Sequence, residues 1–424
     1  MLAAKSCCKA NPSAHSDSFF CVTVKPIRRY SALFFLQQST NGDFRRMDKR
    51  FFGKTLNLQF TPLLLHKTEF MESITDTAVS LLKLMIATPS VSGDEKNVAD
   101  IVANEFARRY YQPERVGNNL IVRCHDFTDG RPTLMLNSHL DTVKPAQGWA
   151  SDPYSPVEQD GNLIGLGSND AGASLVSLLA AFLATDNTGL PYNRLFVASA
   201  EEEISGPSGM YLIRPQLKTM VTAGIVGEPT GMKMAIAEKG LLVLDCEAEG
   251  KTGHAARADG INAISIAMKD IEWLHTYQFP EKSPLLGNVK MTVTQIQAGT
   301  QHNVIPASCK FVVDVRTTEK YSNRQTWDII QQNIKSVATP RSLNKNASAI
   351  DERHPIVKAA RTLGIETFFS PTTSDQAVIS GAFPTVKMGP GDSARSHTAN
   401  EFIALSEIEN GIEGYVELLK EIVF

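Results

Sequence analysis

Hydrophobic and polar positions divide the chain into stretches of distinct texture. From Met71 the apolar residues Ile74, Val79, Leu81, Leu82, Leu84 and Met85 recur at helical spacing, and after the turn PSVSGDE (89–95) a second helical pattern runs through Val98, Ile101, Val102 and Phe106. Short apolar runs of β type follow: LIVRC (120–124), TLMLN (133–137), RLFVAS (194–199) and AGIVG (223–227), with the Ala/Leu-rich stretch Ala171–Thr185 between two of them. This alternation predicts an α/β layer with a largely parallel sheet. From about Leu241 the strands lengthen and alternate polar with apolar (LLVLDCEAEG, VKMTVTQIQAG, CKFVVDVRTT), and two helical stretches, INAISIAMKDIEWLHTY and RQTWDIIQQNIKSVA, accompany them. Alternation means that each sheet face has its own environment, so this part predicts an α+β sandwich of two helices on one antiparallel sheet. At PIVKAARTLG (355–364) the first texture returns. The expected organisation is a discontinuous catalytic domain, 71–240 and 351–424, interrupted by an inserted domain, 241–350.

Composition changes this picture mainly at the N-terminus. The net charge of −3 is the sum of unlike parts: residues 1–70 carry 11 Lys and Arg against 4 Asp and Glu, or +7, and the remainder carries 31 against 41, or −10. The first seventy residues are Ser- and Arg-rich, with apolar residues only in pieces (FFCV, ALFF, LLL), and no sustained periodicity. Three readings stand for them: an upstream extension from a misassigned start codon, with Met71 as the functional start, an organelle transit peptide, or a disordered appendage. Three of the six cysteines (Cys7, Cys8, Cys21) lie there, and no CxxC or paired framework links the others, so a reducing, cytoplasmic setting is expected. No apolar run reaches the length of about 20 needed to span a bilayer, and no basic stripe interleaved with aromatics marks the acidic body. Membrane and nucleic-acid partners are therefore not expected.

The unusual polar clusters follow the carboxyl ends of expected strands, where ligands bind in open α/β sheets. Ser138-His139-Leu140-Asp141 follows TLMLN, Glu201, Glu202 and Glu203 follow RLFVAS, and Glu228 follows AGIVG. Asp170 in GLGSNDAG and His397 in GPGDSARSHTANE complete a set rich in metal-ligand types. Any one of these is ordinarily a cap, a turn residue or a satisfied core group, and three adjacent glutamates can form a solvated turn. Together they crowd like charges at low dielectric, which costs energy unless cations offset it. His139 and Asp141 share one face of an extended segment, as a ligand and its supporting carboxylate would. Three carboxylates (Asp170, Glu203, Glu228) and two neutral imidazoles (His139, His397) balance two divalent ions and one bridging hydroxide. Mixed imidazole and carboxylate ligation suits Zn²⁺, with Co²⁺ or Mn²⁺ as alternatives. GLGSNDAG has Asp170 where a dinucleotide fingerprint needs glycine, and the chain has neither GxxxxGK[ST] nor GxSxG, so nucleotide binding and serine hydrolysis lack support.

From about residue 71 to 424 the chain resembles the co-catalytic zinc hydrolases that include acetylornithine deacetylase, succinyl-diaminopimelate desuccinylase, aminoacylase and glutamate carboxypeptidase. The resemblance is carried, in family order, by SHLDTV (138–143), GLGSNDAGAS (165–174), EEEISGPSG (201–209), VGEPTG (226–231), KTGHAARADGINAI (251–264), HNVIPASC (302–309) with DVR (314–316), and GPGDSARSHTANE (389–401). It implies that Asp170 bridges two ions, that His139 and Glu228 complete one site and Glu203 and His397 the other, and that Asp141 orients His139. It also implies that Glu202 is the general base and acid and that His254 reaches a substrate from the inserted domain, across a dimer in some relatives. Asn303 and Arg316 would hold substrate oxygens; otherwise Arg316 is a strand-end surface charge. The implied activity is hydrolysis of an N-acyl amino acid by a homodimer, most like deacetylation of acetylornithine in arginine biosynthesis. Rival substrates are succinyl-diaminopimelate, succinylated or acetylated ornithine or citrulline, and dipeptides or carboxypeptidase substrates. A metal-binding scaffold or sensor without catalysis is the reading from another class, and the presence of Glu202 and His254 speaks against it.

Overall fold

The apolar runs at 133, 194 and 223 form the centre of a nine-stranded sheet in the computed structural model, which describes residues 20–23, 33–36 and 62–424 except 258. The strand Thr133–His139 pairs in parallel with Asn193–Ser199 on one side and with Ala223–Val226 on the other, and Thr385–Lys387 adds a further parallel strand. Antiparallel strands flank this core, among them Asn119–Arg123 beside Asn193–Ser199 and Ser348–Ala349 beside Met234–Glu238.

Alternate side chains of the central strands enter two separate apolar layers, as strand geometry dictates. Leu134, Leu136, Phe196 and Ala198 face one layer, against the helices Lys96–Ala107, Ala173–Ala184 and Leu405–Glu421. Met135, Leu195 and Val197 face the other, against Met210–Met220 and Gln376–Ile379. Burial on both faces explains why these strands read as unbroken apolar runs. The helix Ala173–Ala184 is buried nearly all round, which its Ala/Leu composition allows.

Between Met234–Glu238 and Ser348–Ala349 lies the inserted α+β unit. Its antiparallel sheet contains Gly240–Glu249, Lys290–Ala298 and Ser308–Thr317, and a third apolar cluster joins the sheet to the helices Ala263–Thr276 and Asn323–Asn333. The second helix is shorter than its pattern predicts. It starts on a Ser322/Gln325 capping box and ends at Asn333, and Val337–Pro340 returns as a fourth strand beside Gly240–Glu249. The buried carboxylate of Asp270 makes that exit by accepting the backbone N–H groups of Lys335 and Ser336 and the Ser336 hydroxyl.

Two features differ from the sequence pattern at the N-terminus. The first long helix spans Pro62–Ile86 and so begins before Met71, with Pro62 at the first helical position, where its missing N–H costs nothing. In the leader, Phe20–Thr23 pairs antiparallel with Leu33–Leu36, so two of its apolar pieces form a two-stranded ribbon. The other residues of 1–61, to which the readings of the leader apply, lie outside the described residues. Cys124, Cys246 and Cys309 are buried free thiols. Among the described residues no helix is long and apolar enough to cross a membrane.

Candidate metal centre

Three neighbouring strands each deliver polar groups at their carboxyl ends. The strand that begins at Thr133 continues two residues past TLMLN, so His139 is its last, buried member. His139 Nδ1 donates to the backbone carbonyl of Asp141 at 2.8 Å, which leaves Nε2, hydrogen-bonded to Asp170 Oδ1 at 3.3 Å, as the ring nitrogen turned toward the cluster. The Asp141 carboxylate stands farther from Nδ1, at 3.5 Å, so the main chain does most of the orienting. That carboxylate instead accepts from Ser92 Oγ (2.7 Å) and from the backbone N–H groups of Glu202 (3.0 Å) and Glu203 (3.1 Å). It ties the end of one strand to the glutamate turn that follows its neighbour.

Asp170 sits in a kinked turn, Ser168–Gly172, with non-helical φ/ψ of −115°/100°. The Asp170–Ala171 peptide is cis. Ligand-type atoms of His139, Asp170 and Glu228 lie within 4.8 Å of one another, and those of Asp170, Glu203 and His397 do the same. Asp170 is common to both triads. His397 Nε2 is 2.9 Å from Glu203 Oε2 and 3.6 Å from Asp170 Oδ2. Glu202 is outside both triads but lines the same cavity, of about 610 Å³, as Asp170, Glu203, Glu228 and His397.

Without cations the cluster holds protons in their place. Burial, followed by the charge of Asp170, pushes Glu228 up to about 8, and burial likewise raises Glu202 well above the carboxylate range. The hydrogen bond to Glu203 raises His397 to about 9. Burial alone would lower His139, but Asp141 and Asp170 hold its proton more strongly. Two divalent ions would relieve this crowding of acids, and two overlapping triads of imidazole and carboxylate match the donor set that borderline metals prefer. The residues present therefore fit a pair of ions.

The other expected site residues lie apart from this cavity. His254 pairs with Val304 in a short ribbon, Gly253–His254 with Val304–Ile305, and the carbonyl of Asn303 accepts from the N–H of Ala255, so His254 and Asn303 are neighbours. Both are exposed, and neither lines the cavity of the metal cluster. His254 Nδ1 accepts from the N–H of Ala256. Arg316, on the strand Ser308–Thr317, is engaged by Asp314 at 2.8 and 3.1 Å.

Three polar residues at the site are given no role by the sequence: Ser92, Asp375 and Glu401. The buried Asp375 accepts from Ser199 Oγ at 2.5 Å, at the end of the strand that leads to the glutamates. Glu401 closes the motif that contains His397, and its carboxylate accepts backbone N–H groups of the Asp170 turn.

Comparison with known proteins gives the family and the fold. The chain is 26% identical over 370 residues to acetylornithine deacetylase of Proteus mirabilis, covering 78% of this chain and 93% of that protein. It is 30% identical over 304 residues to an uncharacterized metallohydrolase of Methanocaldococcus jannaschii, covering 68% and 82%. Among solved structures, aminopeptidase PepT of Bacillus cereus superposes with a TM-score of 0.65 at 21% identity, over 82% of this chain and 98% of that one. A dinuclear metal-binding peptidase of family M20 from Bacillus subtilis superposes with a TM-score of 0.63 at 16% identity, over 82% and 98%. The pattern of peptidase family M20/M25/M40 matches residues 135–421, a stretch that contains the strand ends, both triads and the inserted unit, and the chain belongs to that family of amide-bond hydrolases.

Proposed function

We propose that the chain is a two-metal N-acyl-amino-acid deacylase, with acetylornithine as its substrate and a place in arginine biosynthesis. The observation that carries this reading is the pair of ligand triads sharing Asp170, with the half-buried Glu202 outside both triads on the wall of the same cavity. His139 and Glu228 would hold one ion, Glu203 and His397 the other, and Asp170 both. Zn²⁺ is the expected metal, with Co²⁺ or Mn²⁺ as substitutes. When bound, such ions supply Lewis acidity and make water nucleophilic near neutral pH. Glu202 would take the proton of the attacking water at its carboxylate and deliver it to the leaving amine. Asp141 holds the Glu202 and Glu203 amides so that base and ligand keep their spacing.

The cavity supports a polar, amino-acid-like substrate. Besides the acids it is lined by Lys233, Lys387, Arg395, Thr372 and Ser393, with Phe368 as its aromatic wall. Relatives named acetylornithine deacetylase, from Proteus mirabilis and Yersinia pestis, match over 93% and 94% of their lengths at 26% identity, and the substrate proposed here starts from the activity in their names. His254 and Asn303, adjacent on their exposed ribbon, would serve a partner's site in a homodimer formed through the inserted domain, 241–350. Arg316 would join them in binding a substrate carboxylate once released from Asp314. The buried free thiols favour a cytoplasmic location. The test is a panel assay of the Zn²⁺-loaded chain on N-acetylornithine, N-acetylcitrulline, N-succinylornithine, succinyl-diaminopimelate and a dipeptide. Preference for N-acetylornithine is expected, and preference for the dipeptide would overturn the substrate assignment.

A further inference from the structure

The ligand common to both triads sits on irregular backbone, and an irregular turn needs partners for its N–H groups from outside itself. For the Asp170 turn these partners come from one side chain 231 residues away. Glu401 Oε1 accepts from the N–H of Asn169 at 2.8 Å and of Asp170 at 2.9 Å, and Oε2 accepts from the N–H of Gly167 at 3.2 Å. Glu401 is 2% exposed. It is delivered there by a small sheet: Phe402–Ala404 pairs antiparallel with Asn162–Ile164, and the bond from Gly165 N–H to the Glu401 carbonyl (3.0 Å) continues that ladder into the turn.

The same residue bounds the loop that carries His397. Within that loop His397 and Asn400 adopt left-handed φ values of 60° and 59°, a conformation that Asn and His reach more readily than most non-glycine residues. A second tie runs parallel to the first: Asn169 Nδ2 donates to the Asp392 carbonyl and Asn169 Oδ1 accepts from the Asp392 N–H, both at 3.1 Å. The segment from Asp392 to Glu401 is thus fastened to the Asp170 turn at both ends. A carboxylate suits the clamp because its two oxygens offer about four acceptor sites for three donors. A glutamine there would turn its NH₂ toward one of those N–H groups.

We propose that Glu401 is a positioning residue for the metal pair: it fixes the Asp170 carboxylate between the two triads and keeps the His397 loop in register with it. The proposal rests on the reading that Asp170 is shared by two ions. Partners of this kind, one bond removed from the ligands, typically change metal affinity or activity by about 10- to 100-fold when replaced.

The test uses the full chain with Glu401→Gln, and Glu401→Ala as the more severe form. It measures thermal unfolding of the metal-free protein, Co²⁺ affinity by competition with a chelator, and the visible spectrum of the Co²⁺-loaded protein. For Glu401→Gln we expect a metal-free protein that still unfolds cooperatively, Co²⁺ affinity lower by about 10- to 100-fold, and altered Co²⁺ absorption bands. A variant with wild-type affinity and spectrum, whatever its unfolding temperature, would overturn the proposal and leave Glu401 as a turn anchor only. A wild-type chain that takes up fewer than two Co²⁺ ions would overturn the shared-ligand reading and this proposal with it.

Discussion

Replacing Asp141 by Asn tests how much of the site one carboxylate organises. Its oxygens serve three donors, Ser92 Oγ and the Glu202 and Glu203 amides, and face His139 Nδ1. An asparagine keeps one acceptor oxygen. Its least costly orientation keeps that oxygen on the Glu202 amide and turns the NH₂ toward Ser92, whose hydroxyl can accept as well as donate. The Glu203 amide then loses its partner, and one buried unsatisfied donor costs roughly 1–3 kcal/mol. Asp141→Ala deprives all three donors, so roughly 3 kcal/mol or more is expected for it. Linkage gives the pH signature. Burial opposes ionisation of Asp141, yet its pKa is lowered, because its bonds to His139, Ser92 and the Glu203 amide outweigh burial. A depressed folded pKa contributes stability above the unfolded value of about 3.9 and loses it as pH falls through the folded one. Urea unfolding of the metal-free wild type and Asp141→Asn should therefore differ by roughly 1–3 kcal/mol at pH 7 and converge toward acid. Activity of the loaded variant should fall by about 10- to 100-fold through displacement of Glu203 and its neighbour. Equal stability at pH 7 together with wild-type turnover would refute the role given to this carboxylate.

Other substitutions and conditions probe separate parts of the account. Glu202→Gln should lower kcat by about 100- to 10,000-fold while metal content, read by atomic emission, stays at the wild-type level; retained amidase activity would contradict its role as proton carrier. Mixing Glu202→Gln chains with His254→Ala chains should restore part of the activity if the histidine acts across a dimer, and an inactive mixture would assign His254 to its own chain or to structure. In the metal-free protein Glu228 is raised to about 8 and His397 to about 9, so between their unfolded and folded pKa values the native state binds more protons than the unfolded one. Stability should then fall as pH rises from about 5 to 9, and metal affinity should rise over the same range as those protons are displaced. Calorimetric unfolding and metal titration from pH 5 to 9 check both slopes, and flat profiles would contradict them.

How far the site can be read from sequence depends on how each residue is placed. His139, the glutamates and Glu228 stand where unbroken apolar runs end, and three of those runs are neighbours at the centre of the sheet. A buried strand announces itself by its composition, and its end marks the ligand face. Asp170 and His397 come from loops, and their convergence followed from the resemblance to known hydrolases rather than from periodicity. Glu401 stands in the His397 motif, but its hold on the Asp170 turn, like that of Ser92 on Asp141, is not legible, because a tertiary bond made by one polar letter has no period. The same holds for Asp270, whose capture of the 335–336 amides ends a helix that the apolar pattern alone extends to Ala338. His254, Asn303 and Arg316 show the opposite case: their motifs are clear, yet within one chain they lie away from the cavity that the metal triads share.

The central claim is that Asp170 serves two ions at once. Anomalous diffraction from crystals of the Zn²⁺-loaded chain, collected above and below the zinc absorption edge, tests it most directly. Two peaks flanking the Asp170 carboxylate, one beside His139 and Glu228 and one beside Glu203 and His397, are the predicted result. A single peak, or two peaks that leave Asp170 outside the coordination of either, would contradict it.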